Sequence, residues 1–195
     1  MLGGLLTDNR HFAEADAALR EAEDIFHRLL SPSHLWLADN LRNQAALLYE
    51  QNRFAESLEK VTKTLDLYRA NFGTHYDNYP TALIIRGLSL TKTGQPNEGE
   101  TILREAVKMR SDSLPKEHFW VALANDALGE CLTNQGRYDE AEPLLLQSYE
   151  SLKSSQGASN PRTRLAVQRL IALYEGWGKF DTAKSYRNRL VEAKF

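Results

Sequence analysis

The chain has 195 residues, of which 42% are hydrophobic and 26% are charged, and its formal net charge is −2. This composition is typical of a soluble globular protein, and the nearly neutral balance argues against a general nucleic-acid-binding protein. The charge is unevenly distributed, because residues 1–152 carry 15 basic and 23 acidic side chains whereas residues 153–195 carry 9 and 3. The basic end is expected to be either a solvated helical face or a surface for an anionic partner.

The single cysteine, Cys131, lies in an apolar stretch. One thiol cannot form an internal disulfide or hold a zinc ion by itself, so we expect a reducing compartment and a buried, chemically inert side chain. No apolar run approaches the roughly 18 residues that a membrane-spanning helix needs, and the apolar start "MLGGLL" has no basic leader. These observations predict a cytoplasmic protein without a membrane partner.

The first predicted elements are half a helix at the front and a second helix at "DNRHFAEADAAL". This second stretch recurs as "EQNRFAESLEKV", "KTGQPNEGETIL", "NQGRYDEAEPLLL" and "GWGKFDTAKSYR", always at an interval of 42 residues. The aligned positions are Phe12, Phe54, Pro96, Tyr138 and Phe180. Five copies without an insertion or deletion indicate a repeat array.

Each unit is predicted to contain two helices. The second helix follows a turn residue that tolerates positive φ, and it then places Ala141, Leu145 and Ser148 (in the fourth copy) on one face by spacings of four and three. The turn residues are Asn52, Gly94, Gly136 and Gly178. We therefore expect nine helices of about four turns, in a single domain over residues 1–195. Its units are a partial repeat at residues 1–33 and repeats at about 34–75, 76–117, 118–159 and 160–195.

The loops between units contain residues that are expected at or near helix N-termini. His34 and His118 precede a first helix at the same repeat position, where capping or loop packing is expected rather than metal binding. Pro80 and Pro161 are expected near helix N-termini, where a missing N–H costs little, whereas Pro143 lies inside its helix.

The motif Leu128-Gly129-x2-Leu132, followed by Ala141-x3-Leu145, resembles the tetratricopeptide repeat. The 42-residue period, "GRYDEAEPLL" and the histidine of "SPSHLWLADNL" resemble the longer subclass found in kinesin light chains. The resemblance implies an all-α, right-handed superhelical solenoid of antiparallel helix pairs with about four and a half repeats. It also implies a protein-interaction scaffold without catalysis of its own.

The chain departs from the pattern of this family in its first helices. Gln44 and Arg86 stand where a leucine is expected, and Ile171 replaces a small residue. Of the asparagine pair common in the light-chain subclass, only Asn43 remains. These departures put a kinesin-type cargo role in doubt.

The resemblance places a concave groove along the first helices, whose stripe residues follow spacings of four and three. They are Arg42, Ala46 and Tyr49, then Ile84, Leu88 and Thr91, then Asp126, Glu130 and Thr133, then Gln168, Ala172 and Glu175, with Asn43 as a further candidate. An apolar floor at Ile84 and Leu88 beside an acidic wall at Asp126 and Glu130 predicts a peptide ligand with one or two apolar anchors and a neighbouring Lys or Arg. In the alternative, Ile84 and Leu88 belong to the core because Arg86 interrupts the leucine column.

Two other roles remain open. Leu2, Leu5 and Leu6 lack upstream partners, although terminal repeats need a polar outer surface, so we expect the chain to be the C-terminal part of a larger protein. In the alternative, it self-associates as a homodimer through this N-terminal face. The basic C-terminal end predicts an anionic partner, held by Arg162, Arg164, Arg187 and Arg189. The sequence contains no phosphate-binding glycine loop, HExxH helix or paired cysteines. We therefore expect no catalytic residues, no metal site and no cofactor.

Overall fold

The computed structural model describes residues 11–192, with side chains up to residue 191. Within this range the chain forms nine α-helices and no β-strand. They are α1 (Phe12–Leu29), α2 (Leu35–Glu50), α3 (Phe54–Asn71), α4 (Tyr79–Lys92), α5 (Pro96–Ser113), α6 (Phe119–Asn134), α7 (Tyr138–Gln156), α8 (Pro161–Gly176) and α9 (Phe180–Glu192). The predicted half helix at the front lies outside the described residues, and so do Leu2, Leu5 and Leu6.

The helix starts follow the 42-residue interval. Helices α1, α3, α5, α7 and α9 begin at the five aligned residues, as the repeat predicts. Each of the later four follows a turn in which one residue has positive φ, at Asn52 (61°), Gly94 (84°), Gly136 (73°) and Gly178 (77°). The left-handed conformation ends one helix and lets the chain reverse, which is why glycine or asparagine stands there.

The first helices begin with side-chain caps. His34 and His118 have nearly identical backbone angles, and their Nδ1 atoms accept a hydrogen bond from the backbone N–H of Trp36 (3.1 Å) and Trp120 (3.2 Å). The predicted capping role of both histidines is thereby confirmed, because each satisfies an N–H that the helix leaves without an internal partner. Pro80 and Pro161 lie in the first turns of α4 and α8, and Pro143 lies inside α7.

The chain divides into two compact units, Met1–Gln95 (unit 1) and Pro96–Phe195 (unit 2). In unit 1, helices α1 to α4 pack in chain order, and the two first helices α2 and α4 also contact each other. In unit 2, helices α5 to α9 pack in the same way, with a contact between the first helices α6 and α8. The first helices of adjacent repeats are therefore neighbours within each unit.

Small residues allow close packing between the helices of a pair. Ala141 and Leu145 of α7 are fully buried, as the periodicity predicts. A Cβ atom added at Gly129 of α6 would lie 2.6 Å from Cγ of Leu145, so any larger residue here would force the buried Leu145 to move. The buried hydroxyl of Ser148 donates to the carbonyl of Ala122 at 2.8 Å, which satisfies a polar group inside the packed pair.

One polar residue of the expected leucine column is accommodated by hydrogen bonds. Gln44 of α2 is buried, its Nε2 donates to Oε2 of Glu23 on α1 at 2.9 Å, and the ammonium of Lys60 on α3 donates to its Oε1. A buried amide costs little when both its donor and its acceptor are satisfied. Three helices thus meet at a polar contact where the family pattern has an apolar one.

Candidate functional site

The stripe predicted on α2 is only partly at the surface of unit 1. Asn43 is buried, whereas Arg42 and Tyr49 are half-buried. The Nε of Arg42 lies 3.8 Å from Oδ1 of Asp39, one turn earlier, and the ring of Tyr49 packs on Phe54 at 5.2 Å between centroids. Arg42 and Tyr49 are therefore held in place but remain within reach of a ligand.

The apolar part of the stripe on α4 divides between surface and interior. Leu88 is 6% exposed and belongs to the buried residues of the chain, whereas Ile84 is half-buried. Thr91 is also buried, and its hydroxyl donates to the carbonyl of Gly87 at 2.9 Å. Of the two predicted apolar residues, Ile84 alone offers surface, and the burial of Leu88 agrees with the core alternative for that residue.

The two acidic residues predicted on α6, Asp126 and Glu130, are paired with an arginine that was not among the predicted site residues. Nη1 of Arg169, on the neighbouring first helix α8, donates to Oδ2 of Asp126, and its Nη2 lies 2.5 Å from Oε2 of Glu130. The three side chains are 1%, 14% and 11% exposed for Asp126, Glu130 and Arg169. One guanidinium thus bridges two carboxylates that stand one helical turn apart.

Asp126 is the most buried of these three side chains. Burial raises the pKa of its carboxyl above the usual value, while the charge and the hydrogen bond of Arg169 act in the opposite direction. Oδ1 of this carboxylate is buried and accepts no hydrogen bond from any described residue. The site therefore has an acceptor that Arg169 leaves unused.

The remaining stripe residues lie on α8. Gln168 and Ala172 are exposed and stand one turn apart, with Arg169, Leu170 and Ile171 between them in sequence. Glu175 is half-buried and forms an ion pair with Arg187 of α9. The stripe on α8 is therefore exposed at Gln168 and Ala172, whereas its last member, Glu175, is held in an ion pair.

A second group of polar side chains, in unit 1, was not foreseen from the sequence. Asp39 of α2 is buried, and it accepts hydrogen bonds from the hydroxyls of Tyr68 (2.5 Å) and Tyr76 (2.9 Å) and from Nδ2 of Asn78 (3.0 Å). Burial raises the pKa of Tyr76 to about 12 and that of Tyr68 still further, and the hydrogen bonds to Asp39 act in the same direction. These contacts fasten the loop between α3 and α4 onto α2.

The basic C-terminal end is largely engaged within unit 2. The guanidinium of Arg162 lies 5.0 Å from the ring centroid of Phe119, and that of Arg189 lies 4.7 Å from the ring of Tyr186. Arg187 pairs with Glu175, and Arg164 is half-buried. Cation–π contacts of this kind stabilise by about 0.5–1 kcal/mol at exposed sites, so these residues have packing roles whether or not they meet a partner.

Two further features concern chemistry and membranes. Residues 11–192 contain no group of three or more histidine, cysteine, aspartate or glutamate side chains placed to hold a metal ion. Cys131 is fully buried, as predicted. Over the same range, none of the helices combines the length and the apolar character that crossing a lipid bilayer requires.

Comparison with known proteins identifies the class. The model of the tetratricopeptide repeat family matches residues 1–70 and 78–154, which is more than half of the chain. The chain belongs to this family, as the sequence motifs indicate. Proteins built from such repeats generally mediate protein–protein interaction, and the repeats themselves are generally not catalytic.

A curated relative of the chain is a protein related to kinesin light chains. Protein KINESIN LIGHT CHAIN-RELATED 3 of Arabidopsis thaliana is 25% identical over 171 residues, which are 85% of this chain but only 25% of the relative. The chain thus spans about a quarter of the length of the relative it matches.

Solved structures agree with this resemblance. The nearly identical TPR-like repeats of a Podosopora anserina protein named for a kinesin light chain superpose with a TM-score of 0.66 at 16% identity, covering 99% of this chain and 91% of that one. BtubC (BKLC) from P. vanneervenii superposes with a TM-score of 0.69 at 18% identity, covering 99% and 77%. The all-α repeat fold predicted from the sequence is confirmed, and at these identities the likeness concerns the fold alone.

Proposed function

We propose that this chain is a protein-interaction scaffold that binds a peptide segment of a partner along its first helices and has no catalysis of its own. The observation that carries the proposal is the open centre of α8, where Gln168 and Ala172 are exposed beside the charged group of Asp126, Glu130 and Arg169. The small side chain of Ala172 leaves room for a ligand, and the neighbouring charged side chains favour one orientation of that ligand.

The family supports the class of partner. Tetratricopeptide repeats generally bind proteins, and a few well-placed anchors usually dominate the affinity of such interfaces. In unit 1, Ile84 and Tyr49 are the large half-buried apolar members of the stripe and suit an apolar side chain of the ligand. In unit 2, two carboxylates share one arginine, so a basic ligand is favoured over an acidic one.

The test is a selection from a random displayed peptide library against the full chain, followed by affinity measurements on the selected peptides. Ala172→Arg fills the exposed centre of α8, and we expect it to weaken binding by about tenfold or more, which corresponds to 1.4 kcal/mol. Glu150→Arg places the same side chain at an exposed position of the second helix α7 and should leave the affinity unchanged within about twofold.

Both variants are first compared with the parent chain by circular dichroism and thermal unfolding. A library that yields no binding peptide contradicts the proposal. Peptides whose affinity falls with Glu150→Arg but not with Ala172→Arg contradict it as well, because they would bind the second helices.

A further inference from the structure

At the contact between α6 and α8, the two carboxylates offer more hydrogen-bond acceptors than the guanidinium of Arg169 uses. Asp126 and Glu130 carry two carboxylates within one helical turn, and both contact the guanidinium of Arg169. Oδ1 of Asp126 is buried and accepts no hydrogen bond from the described residues, although buried acceptors are normally satisfied. A purely structural ion pair would be expected to use this atom.

The geometry suits a guanidinium in particular. The Nη1 and Nη2 atoms of Arg169 go to different carboxylates, one to Asp126 and the other to Glu130. The planar fork of an arginine donates through several N–H groups in fixed directions, whereas a lysine ammonium is a compact point charge. The two carboxylates therefore select arginine over lysine.

We propose that Asp126 and Glu130 form an arginine-binding site that Arg169 fills in the free chain, and that an arginine of the partner peptide displaces Arg169 from it. This inference rests on the proposed function, because the peptide must lie along the first helices to reach the site. It names the side chain that the ligand contributes, and it makes Arg169 an internal competitor.

Exchange of one guanidinium for another avoids the main cost of opening such a site. An unpaired buried carboxylate is strongly unfavourable, but during exchange both carboxylates keep a cationic partner. Arg169 lies between the exposed Gln168 and the neighbouring turn that carries the exposed Ala172, so its released side chain has a short path to water. Ordered contacts elsewhere along the peptide supply the remaining affinity.

The first experiment uses chemical rescue of the full chain. Arg169→Ala empties the site and is expected to lower Tm, and N-acetyl-arginine amide should then raise Tm by several degrees in a concentration-dependent manner. N-acetyl-citrulline amide, which is neutral but of similar shape, should not. Arg187→Ala serves as the matched control, because its partner Glu175 is much more exposed to water, and no rescue is expected there.

The second experiment uses the peptides selected in the library. Replacing the critical arginine of a peptide by citrulline should weaken its binding to the parent chain by about tenfold or more. Arg169→Lys should bind the arginine peptide several times more tightly than the parent chain, because an ammonium competes less well for two carboxylates. This variant keeps the positive charge and therefore tests the inference even if Arg169→Ala does not fold.

The outcomes separate the two proposals. Selected peptides that tolerate citrulline at every position, with affinities unaffected by Arg169→Lys, overturn the arginine site while the proposed function stands. Equal rescue by the arginine and citrulline probes overturns the site as well. If no peptide binds the parent chain, the proposed function fails, whatever the rescue shows.

Discussion

Two aspartates, one on a first helix of each unit, are buried but are stabilised by different kinds of partner. Asp39 in unit 1 accepts hydrogen bonds from two tyrosine hydroxyls and one asparagine amide, with Arg42 at 3.8 Å. Asp126 in unit 2 depends on Arg169, and its Oδ1 accepts no hydrogen bond from a described residue. Both carboxylates lie in the interior, but only the first is saturated with neutral donors.

The difference separates a fixed contact from an exchangeable one. The neutral donors of Asp39 include Tyr76 and Asn78, which belong to the loop between α3 and α4, so breaking that group would release a loop. Arg169 contributes a long side chain from α8, where its neighbour Gln168 is exposed, and another guanidinium can replace it. A fully satisfied polar network favours rigidity, which suits the loop contact of Asp39.

The largest effect is expected where a buried carboxylate loses the arginine that pairs with it. Arg169→Leu should lower the free energy of unfolding by about 3–5 kcal/mol, because Asp126 remains buried without a counter-charge. Adding Asp126→Leu should restore most of that loss. Urea unfolding of the two single variants and the double variant measures the coupling. Strictly additive effects would show that the two side chains do not depend on each other.

An intermediate effect is expected at Asp39. Asp39→Ala removes the acceptor of three hydrogen bonds and leaves the fully buried Tyr68 hydroxyl without it, so we expect a loss of about 2–4 kcal/mol. Asp39→Asn retains one carbonyl acceptor and should cost less. Urea unfolding measures the stability, and limited proteolysis within residues 72–78 reports release of the loop. Intact protection of that loop in Asp39→Ala would contradict its fastening by Asp39.

The smallest effect concerns alkaline pH. The pKa of Tyr76 is raised from its ordinary value of 10.0 to about 12, so the folded chain holds a proton that the unfolded chain releases. The corresponding stabilisation is complete below about pH 10 and disappears as the pH rises through about 12. Tyr76→Phe should reduce this alkaline loss of stability, as followed by urea unfolding at several pH values. An unchanged pH dependence in the variant would show that Tyr76 ionises as in water.

The repeat architecture could be predicted because it depends on local rules. The helix starts at Phe54 and Tyr138 and the turns at Asn52 and Gly136 follow from backbone preferences that recur every 42 residues. The cap at His118 follows from its place before a first helix. Each of these features involves residues close in sequence, so a single chain is enough to recognise them.

The candidate site could be predicted only in outline. The stripe positions on α6 and α8 follow from spacing, but the partner of Asp126 is Arg169, one repeat and one residue further along the chain. The available signal was that Arg169 directly follows the stripe residue Gln168 on the next first helix. Using this signal would have required knowing how α6 and α8 face each other. Leu88 shows the same limit, because equal spacing on α4 leaves Ile84 half-buried and Leu88 buried.

The amino-acid sequence by itself determined the family, the helical repeat and the places where the chain turns, because backbone conformation and helical periodicity are read over a few neighbouring residues. Tertiary packing decided which polar side chains were buried and with what they paired. Gln44 meets Glu23 and Lys60, Asp39 meets the loop after α3, and Asp126 meets Arg169. Such pairings depend on side-chain directions across different helices, since a buried polar group binds whichever donor or acceptor the packing brings within hydrogen-bond distance.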